Sequence, residues 1–154
     1  MPDTIAGDQI YGMHLMLRLS RIERIDAIDD SACLGDFLTS LVKKIGMQVM
    51  DGPHVATEEG GMQNYGHSGV IILAESHAAI HTYPGRRELF LDVFSCRPFD
   101  QSDVMSVCER FFGDFVVSER TVLDRGYHWH PPASASLRKW ANHRYEALPQ
   151  GEHP

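Results

Sequence analysis

A chain of 154 residues, 43% of them hydrophobic and 23% charged, has the size and composition of one soluble globular domain. Its 14 basic and 21 acidic residues give a net charge of −7, which argues against nucleic acid or an anionic membrane as partner. No apolar run approaches the ~18 residues of a membrane helix, and the N-terminus has neither the basic start nor the hydrophobic stretch of a signal peptide. The three widely spaced cysteines (Cys33, Cys96, Cys108) suit a reducing, cytoplasmic setting.

Alternation over Met13–Leu19 predicts a strand, with His14, Met16 and Arg18 on one side and Met13, Leu15, Leu17 and Leu19 on the other. Asp29-Asp30-Ser31 offers N-cap oxygens to a helix. Its apolar face is Cys33, Leu34, Phe37, Leu38, Leu41, Val42 and Ile45, with Lys43 and Lys44 in the last turn and Gly46 as the stop. Met47–Met50 reads as a short strand and His54–Gly66, with three glycines, as a loop. Ser68–Glu75 reads as a strand and Ala78–Tyr83 as another. Pro84-Gly85-Arg86-Arg87 is a turn and Glu88–Ser95 the next strand. Helical spacing returns over Ser102–Phe112, stopped by Gly113, and Phe115–Leu123 is a last strand. This divides the chain into one domain, residues 1–124, and a polar tail, 125–154, read as loosely ordered apart from a short helix over Leu137–Tyr145.

The order β-α-β-β-β-β-α-β predicts an α+β fold: a two-layer sandwich of a mostly antiparallel sheet with helices on one face. Val70–Ala74 is apolar on both alternating faces, and Leu89–Phe94 nearly so. Such strands need cover on both sides. Two helices cover one face, and a second copy of the same sheet is the simplest cover for the other, so a homodimer is expected. The plainer alternative folds the loop and the tail over it.

Four elements then stand in register: Gly66-His-Ser-Gly-Val, with Ser68; Glu75-Ser76-His77; Ile80-His81-Thr82-Tyr83-Pro84; and Asp92-Val93-Phe94-Ser95-Cys96. Together they resemble the core of the prokaryotic S-adenosylmethionine decarboxylases, pyruvoyl enzymes made from a self-cleaving proenzyme. A decarboxylase needs an electron sink as carbon dioxide leaves, and a Schiff base to a carbonyl cofactor is one. The three lysines (Lys43, Lys44, Lys139) lie outside these elements, and no pyridoxal-binding signature is visible. The resemblance implies that the chain makes its own carbonyl. Ser76 attacks the carbonyl of Glu75, and the chain splits into 1–75 and 76–154 with a pyruvoyl group heading the second piece. It further implies that Ser68 and His81 assist this processing and that Cys96 returns a proton to the substrate carbon.

On a single strand, Ser68 and Ser76 would lie roughly 26 Å apart at ~3.3 Å per residue. Either the strand breaks or a second chain supplies Ser68. The resembled bacterial enzymes are dimers with sheets face to face and active sites near the interface. Ser68 and His81 are therefore expected to act on the partner's Ser76.

Two positions depart from the family pattern. Gly85 stands where a glutamate holds the ribose, and Met62 where an aromatic ring stacks on adenine. Tyr65 or Tyr83 could replace the ring. The small-molecule substrate is S-adenosylmethionine by resemblance. L-Ornithine or L-arginine explains the departures equally well, and all three feed polyamine synthesis. A non-enzymatic regulatory paralogue is a further alternative, opposed by the intact Glu75, Ser76, Ser68, His81 and Cys96. A metal site at His77 and His81 with His128 and His130 is weaker than a solvated reading of these residues, and no metal is expected. Taken singly, Ser76, His81 and Cys96 each have a plain structural reading; their joint order and spacing argue against it. The Arg86-Arg87 pair reads as a solvated turn.

Overall fold

Inward leucines at every second position make Gly12–Ser20 strand β1. Leu15, Leu17 and Leu19 are buried, while His14, Met16 and Arg18 face the other way. The computed structural model describes residues 12–61 and 63–125. Met62, the helix expected over Leu137–Tyr145, and His128 and His130 lie outside these residues. After β1 come α1 (Ile25–Ile28), α2 (Ser31–Lys44), β2 (Val49–Glu58), β3 (Gly66–Leu73), β4 (Ser76–Tyr83), a 3-10 turn (Pro84–Arg86), β5 (Glu88–Ser95), α3 (Gln101–Phe112) and β6 (Val116–Arg125). The six strands form one sheet in the order β2-β3-β4-β5-β1-β6, with every pairing antiparallel.

The Asp30 side chain caps α2, accepting the Ala32 and Cys33 N–H groups at 2.9 and 3.2 Å. Lys43 and Lys44 sit in its last turn, where cations suit the helix dipole. Its buried face, Leu34, Phe37, Leu38, Leu41 and Val42, lies over β2, β3 and β4. Phe37 meets Phe112 of α3 with ring centroids 4.8 Å apart. Each such large side chain, fully buried, contributes roughly 1.5–3 kcal/mol. The core thus lies between the helices and the inner face of the sheet. The opposite face is open, with Val70, Ile72 and Phe90 at 38, 44 and 39% exposure. No helix among the described residues is long and apolar enough to cross a membrane.

Two expectations require correction. The segment from His54, read as a loop, continues β2 to Glu58. β2 is an edge strand with little burial. Its pairing to β3 rests on ladder hydrogen bonds, with register shifts around Asp51, so alternation was no guide to it. The strand read through Glu75 ends at Leu73. Ala74 and Glu75 form a two-residue turn, and the chain doubles back as β4, with Leu73 opposite Ser76.

Candidate active site

The hairpin turn sets the geometry. Glu75 holds φ 58°, a left-handed conformation that costs a side-chain-bearing residue on the order of 1 kcal/mol. Neither alanine nor glutamate favours a tight turn. What anchors this one is the ladder on either side and the Ala74 N–H, which donates to the Gln48 carbonyl at 3.0 Å. Strain is thereby held at the residue before Ser76.

Ser76 starts β4 on the helix side of the sheet and is 7% exposed. Its Oγ donates to Ser95 Oγ at 3.2 Å and accepts the Cys96 N–H at 3.3 Å. The Cys96 Sγ lies 3.9 Å from the same oxygen and donates to Glu75 Oε2 at 3.2 Å. Burial pushes the Cys96 thiol up, and the hydrogen bond to the Glu75 carboxylate adds to it. The Ser76 hydroxyl acts in the opposite direction. Glu75, Ser76 and Cys96 therefore form one contiguous cluster at the end of β3, β4 and β5. Ser95 belongs to it as well, although the sequence reading did not single it out. Strand alternation already placed Ser95 on the buried side with Leu91 and Val93, one residue before Cys96.

Ser68 and His81 form a second group elsewhere. They are cross-strand partners on the open face, with Ser68 Oγ 2.7 Å from His81 Nδ1. They line a hollow of about 400 Å³ with His54, Val55, Val70 and Ala79. The fold-back brings Ser68 closer to Ser76 than the extended estimate. His81 is five residues along β4 from Ser76, so the pair still lies ~16 Å away at ~3.3 Å per residue. An odd separation also places Ser76 and His81 on opposite faces. Within one chain the processing residues named from the sequence do not meet.

Of the substrate-binding candidates, Tyr65, Tyr83 and Gly85 lie towards the far end of the hairpin. Tyr83 packs edge-on against Phe90 at 6.0 Å, and Gly85 is exposed in the 3-10 turn. Tyr65 Oη donates to Asp29 Oδ1 at 2.7 Å, and the same carboxylate oxygen lies 3.2 Å from His67 Nε2. Arg86 is exposed, as a solvated turn implies. Arg87 does more than the sequence reading gave it: its Nε donates to the Ile22 carbonyl at 2.9 Å. Among the described residues no group of three or more His, Cys, Asp or Glu gathers as a metal site.

A self-made carbonyl group fits the Glu75–Ser76 junction. The hydroxyl is buried and hydrogen-bonded on two sides, the preceding residue is strained, and the neighbouring Cys96 thiol holds its proton towards the Glu75 carboxylate. Lys43 and Lys44 are exposed at the end of α2.

Comparison with known proteins bears on this geometry. The profile of the S-adenosylmethionine decarboxylase family matches residues 13–126. An S-adenosylmethionine decarboxylase proenzyme of Methanococcus maripaludis strain C5 is 36% identical over 85 residues, 55% of this chain and 65% of that one. One of Persephonella marina is 30% identical over 95 residues, 58% of this chain and 62% of that one. The matches thus span just under two thirds of those relatives' length. The crystal structure of the adenosylmethionine decarboxylase from Aquifex aeolicus has a similar fold, with a TM-score of 0.63 at 23% identity over 77% of this chain and 92% of that one.

Proposed function

The chain belongs to the S-adenosylmethionine decarboxylase family, and from that premise we propose that it is a self-cleaving, pyruvoyl-dependent decarboxylase of S-adenosylmethionine, feeding polyamine biosynthesis in the cytoplasm. The observation that carries this reading is the Ser76 hydroxyl, held at 3.2 and 3.3 Å beside the strained Glu75 and within 3.9 Å of the Cys96 thiol.

Ser76 Oγ attacks the carbonyl carbon of Glu75. The C–N bond between the two residues breaks, the nitrogen takes a proton, and an ester replaces the amide. Loss of the Ser76 Cα proton then expels the Glu75 carboxylate from Cβ and leaves dehydroalanine. Water replaces the amino nitrogen, which departs as ammonia, and a pyruvoyl group heads residues 76–154. That group would supply the electron sink for decarboxylation, as a carbonyl able to form a Schiff base with the substrate amine. Cys96, kept protonated by burial and by Glu75, gives a proton to the substrate carbon.

Ser68 and His81 reach this chemistry from a second copy. Sheets packed face to face with opposed directions bring the open-face pair of one protomer to the hairpin end of the other, where Glu75 is exposed. The same arrangement carries Tyr65, Tyr83 and Gly85 towards the partner's Ser76. The homodimer interface is the open face bearing Val70, Ile72 and Phe90.

Gly85 favours a second reading, the same chemistry on L-ornithine or L-arginine, because it offers no carboxylate to a ribose. Missing a charged hydrogen bond and a stacking face costs roughly 1–3 kcal/mol each. The test measures labelled carbon dioxide released from S-adenosylmethionine, L-ornithine, L-arginine and L-lysine by fully cleaved protein. Release from S-adenosylmethionine, abolished by phenylhydrazine, is expected. Release confined to an amino acid would transfer the activity to that substrate, and release from none would refute the enzyme.

A further inference from the structure

Ser95 has no step in the reaction above, yet its oxygen is the nearer of the two acceptors of the Ser76 proton, at 3.2 Å against 3.9 Å for the Cys96 sulfur. Ser95 closes β5 at 0% exposure, directly opposite Ser76 in the β4–β5 ladder. Its oxygen accepts from Ser76 Oγ at 3.2 Å and from the Arg97 N–H at 2.9 Å. Its own proton goes to Met47 Sδ at 3.4 Å. A hydroxyl has one proton and two lone pairs, so Ser95 is fully occupied, and its one donation goes to a thioether, a weak acceptor. The well-made part of the arrangement is the bond it takes from Ser76.

We infer that Ser95 is a positioning residue for self-cleavage, fixing the rotamer of the Ser76 hydroxyl before it attacks Glu75. The inference rests on the reading of Ser76 as the cleavage residue. Counting lone pairs shows what the contact does. The Ser76 proton has two acceptors, Ser95 Oγ at 3.2 Å and the weaker, more distant Cys96 Sγ at 3.9 Å, and one Ser76 lone pair takes the Cys96 N–H, which leaves one lone pair for the Glu75 carbonyl carbon. Fixing that geometry in advance removes rotational freedom from the attack. Ser95 is not the base. An alcohol oxygen is too weakly basic to keep the Ser76 proton, and its own proton faces the Met47 thioether, which cannot take it on, so the Ser76 proton has to leave by way of another group.

The experiment compares Ser95→Thr with Ser95→Val, two side chains of one shape that differ in the hydroxyl, alongside the unaltered protein. Cleavage is followed by intact mass from the time of synthesis. Thermal midpoints are taken in the uncleavable Ser76→Ala background. Ser95→Thr is expected to cleave within about twofold of the unaltered rate and Ser95→Val about tenfold more slowly, the effect of one lost hydrogen bond. Hydroxylamine, which cuts an accumulated ester, is expected to yield no extra fragment from Ser95→Val, because the lost step precedes the ester. Equal cleavage by the Thr and Val variants overturns the inference and leaves the cleavage reading standing. A slow Ser95→Val that accumulates hydroxylamine-sensitive ester also overturns it. An unaltered chain that never cleaves refutes the underlying reading instead.

Discussion

Cys96 meets the Glu75 carboxylate at 3.2 Å and the Ser76 hydroxyl at 3.9 Å, and that pairing decides which chemistry the thiol can do. Burial first, and the carboxylate next, hold it above the ordinary thiol range, so it stays protonated at neutral pH. A nucleophilic thiol needs the opposite environment, a cation or a helix N-terminus. Cys96→Ala is therefore expected to cleave normally and then turn over ~10²-fold or more slowly, the usual effect of a lost general acid. Turnover is measured on material shown by mass to be fully cut. A folded Cys96→Ala that stays whole would contradict the assignment. Ser68, Glu75, Ser76, His81 and Cys96 could be singled out as candidates in the sequence because their residue types and spacing carry a recognisable pattern. Ser95 was not, because a serine facing a core at a strand end has no signature of its own until its cross-strand neighbour is known.

At the scale of elements, α2 and β1 were legible because burial and periodicity coincide in them. The β3–β4 turn was not, since Ala74 and Glu75 carry no turn preference and the ladder imposes it. β2 was missed beyond Met50 for a related reason: as an exposed edge strand it is specified by pairing more than by pattern. The helices contribute a pH dependence of their own. Cys108 of α3 is fully enclosed, and burial pushes its thiol up to about 12. The unfolded chain releases that proton near the ordinary thiol value, so it binds fewer protons than the folded chain above that pH. Stability from this group is fully present below pH ~9 and is lost as pH rises towards 12, at up to ~1.4 kcal/mol per pH unit. Urea midpoints of the Ser76→Ala protein are expected to fall between pH 8.5 and 10.5, and Cys108→Ala is expected to flatten that fall while lowering stability at pH 7. Parallel slopes for the two proteins would contradict it.

For the whole molecule, the decisive feature is that one chain keeps the two groups of candidate residues apart. Ser76 with Glu75, Ser95 and Cys96 lies at one end on the helix side. Ser68 and His81 lie on the open face, about five residues of strand away. A second copy was suggested in the sequence by the doubly apolar Val70–Ala74 and by the Ser68–Ser76 spacing, whereas the doubling back of β3 into β4 was not. Co-expression tests it. Ser76→Ala, which keeps the Ser68–His81 pair, is expected to restore cleavage to a His81→Ala chain that is uncut alone. Ile72→Asp, which places a charge on the open face, is expected to give monomers and to slow cleavage of the otherwise unaltered chain at least tenfold. A His81→Ala chain that cleaves fully alone, or stays whole in the mixture, would contradict the shared site.

The most direct measurement is the intact mass of the purified protein under denaturing conditions, beside Ser76→Ala. Self-cleavage predicts two fragments, residues 1–75 ending in a free carboxylate and residues 76–154 beginning with a pyruvoyl group, and a single uncut chain from the variant. One chain of 17.3 kDa with an ordinary serine at position 76, in material that is fully active as a decarboxylase, would contradict it.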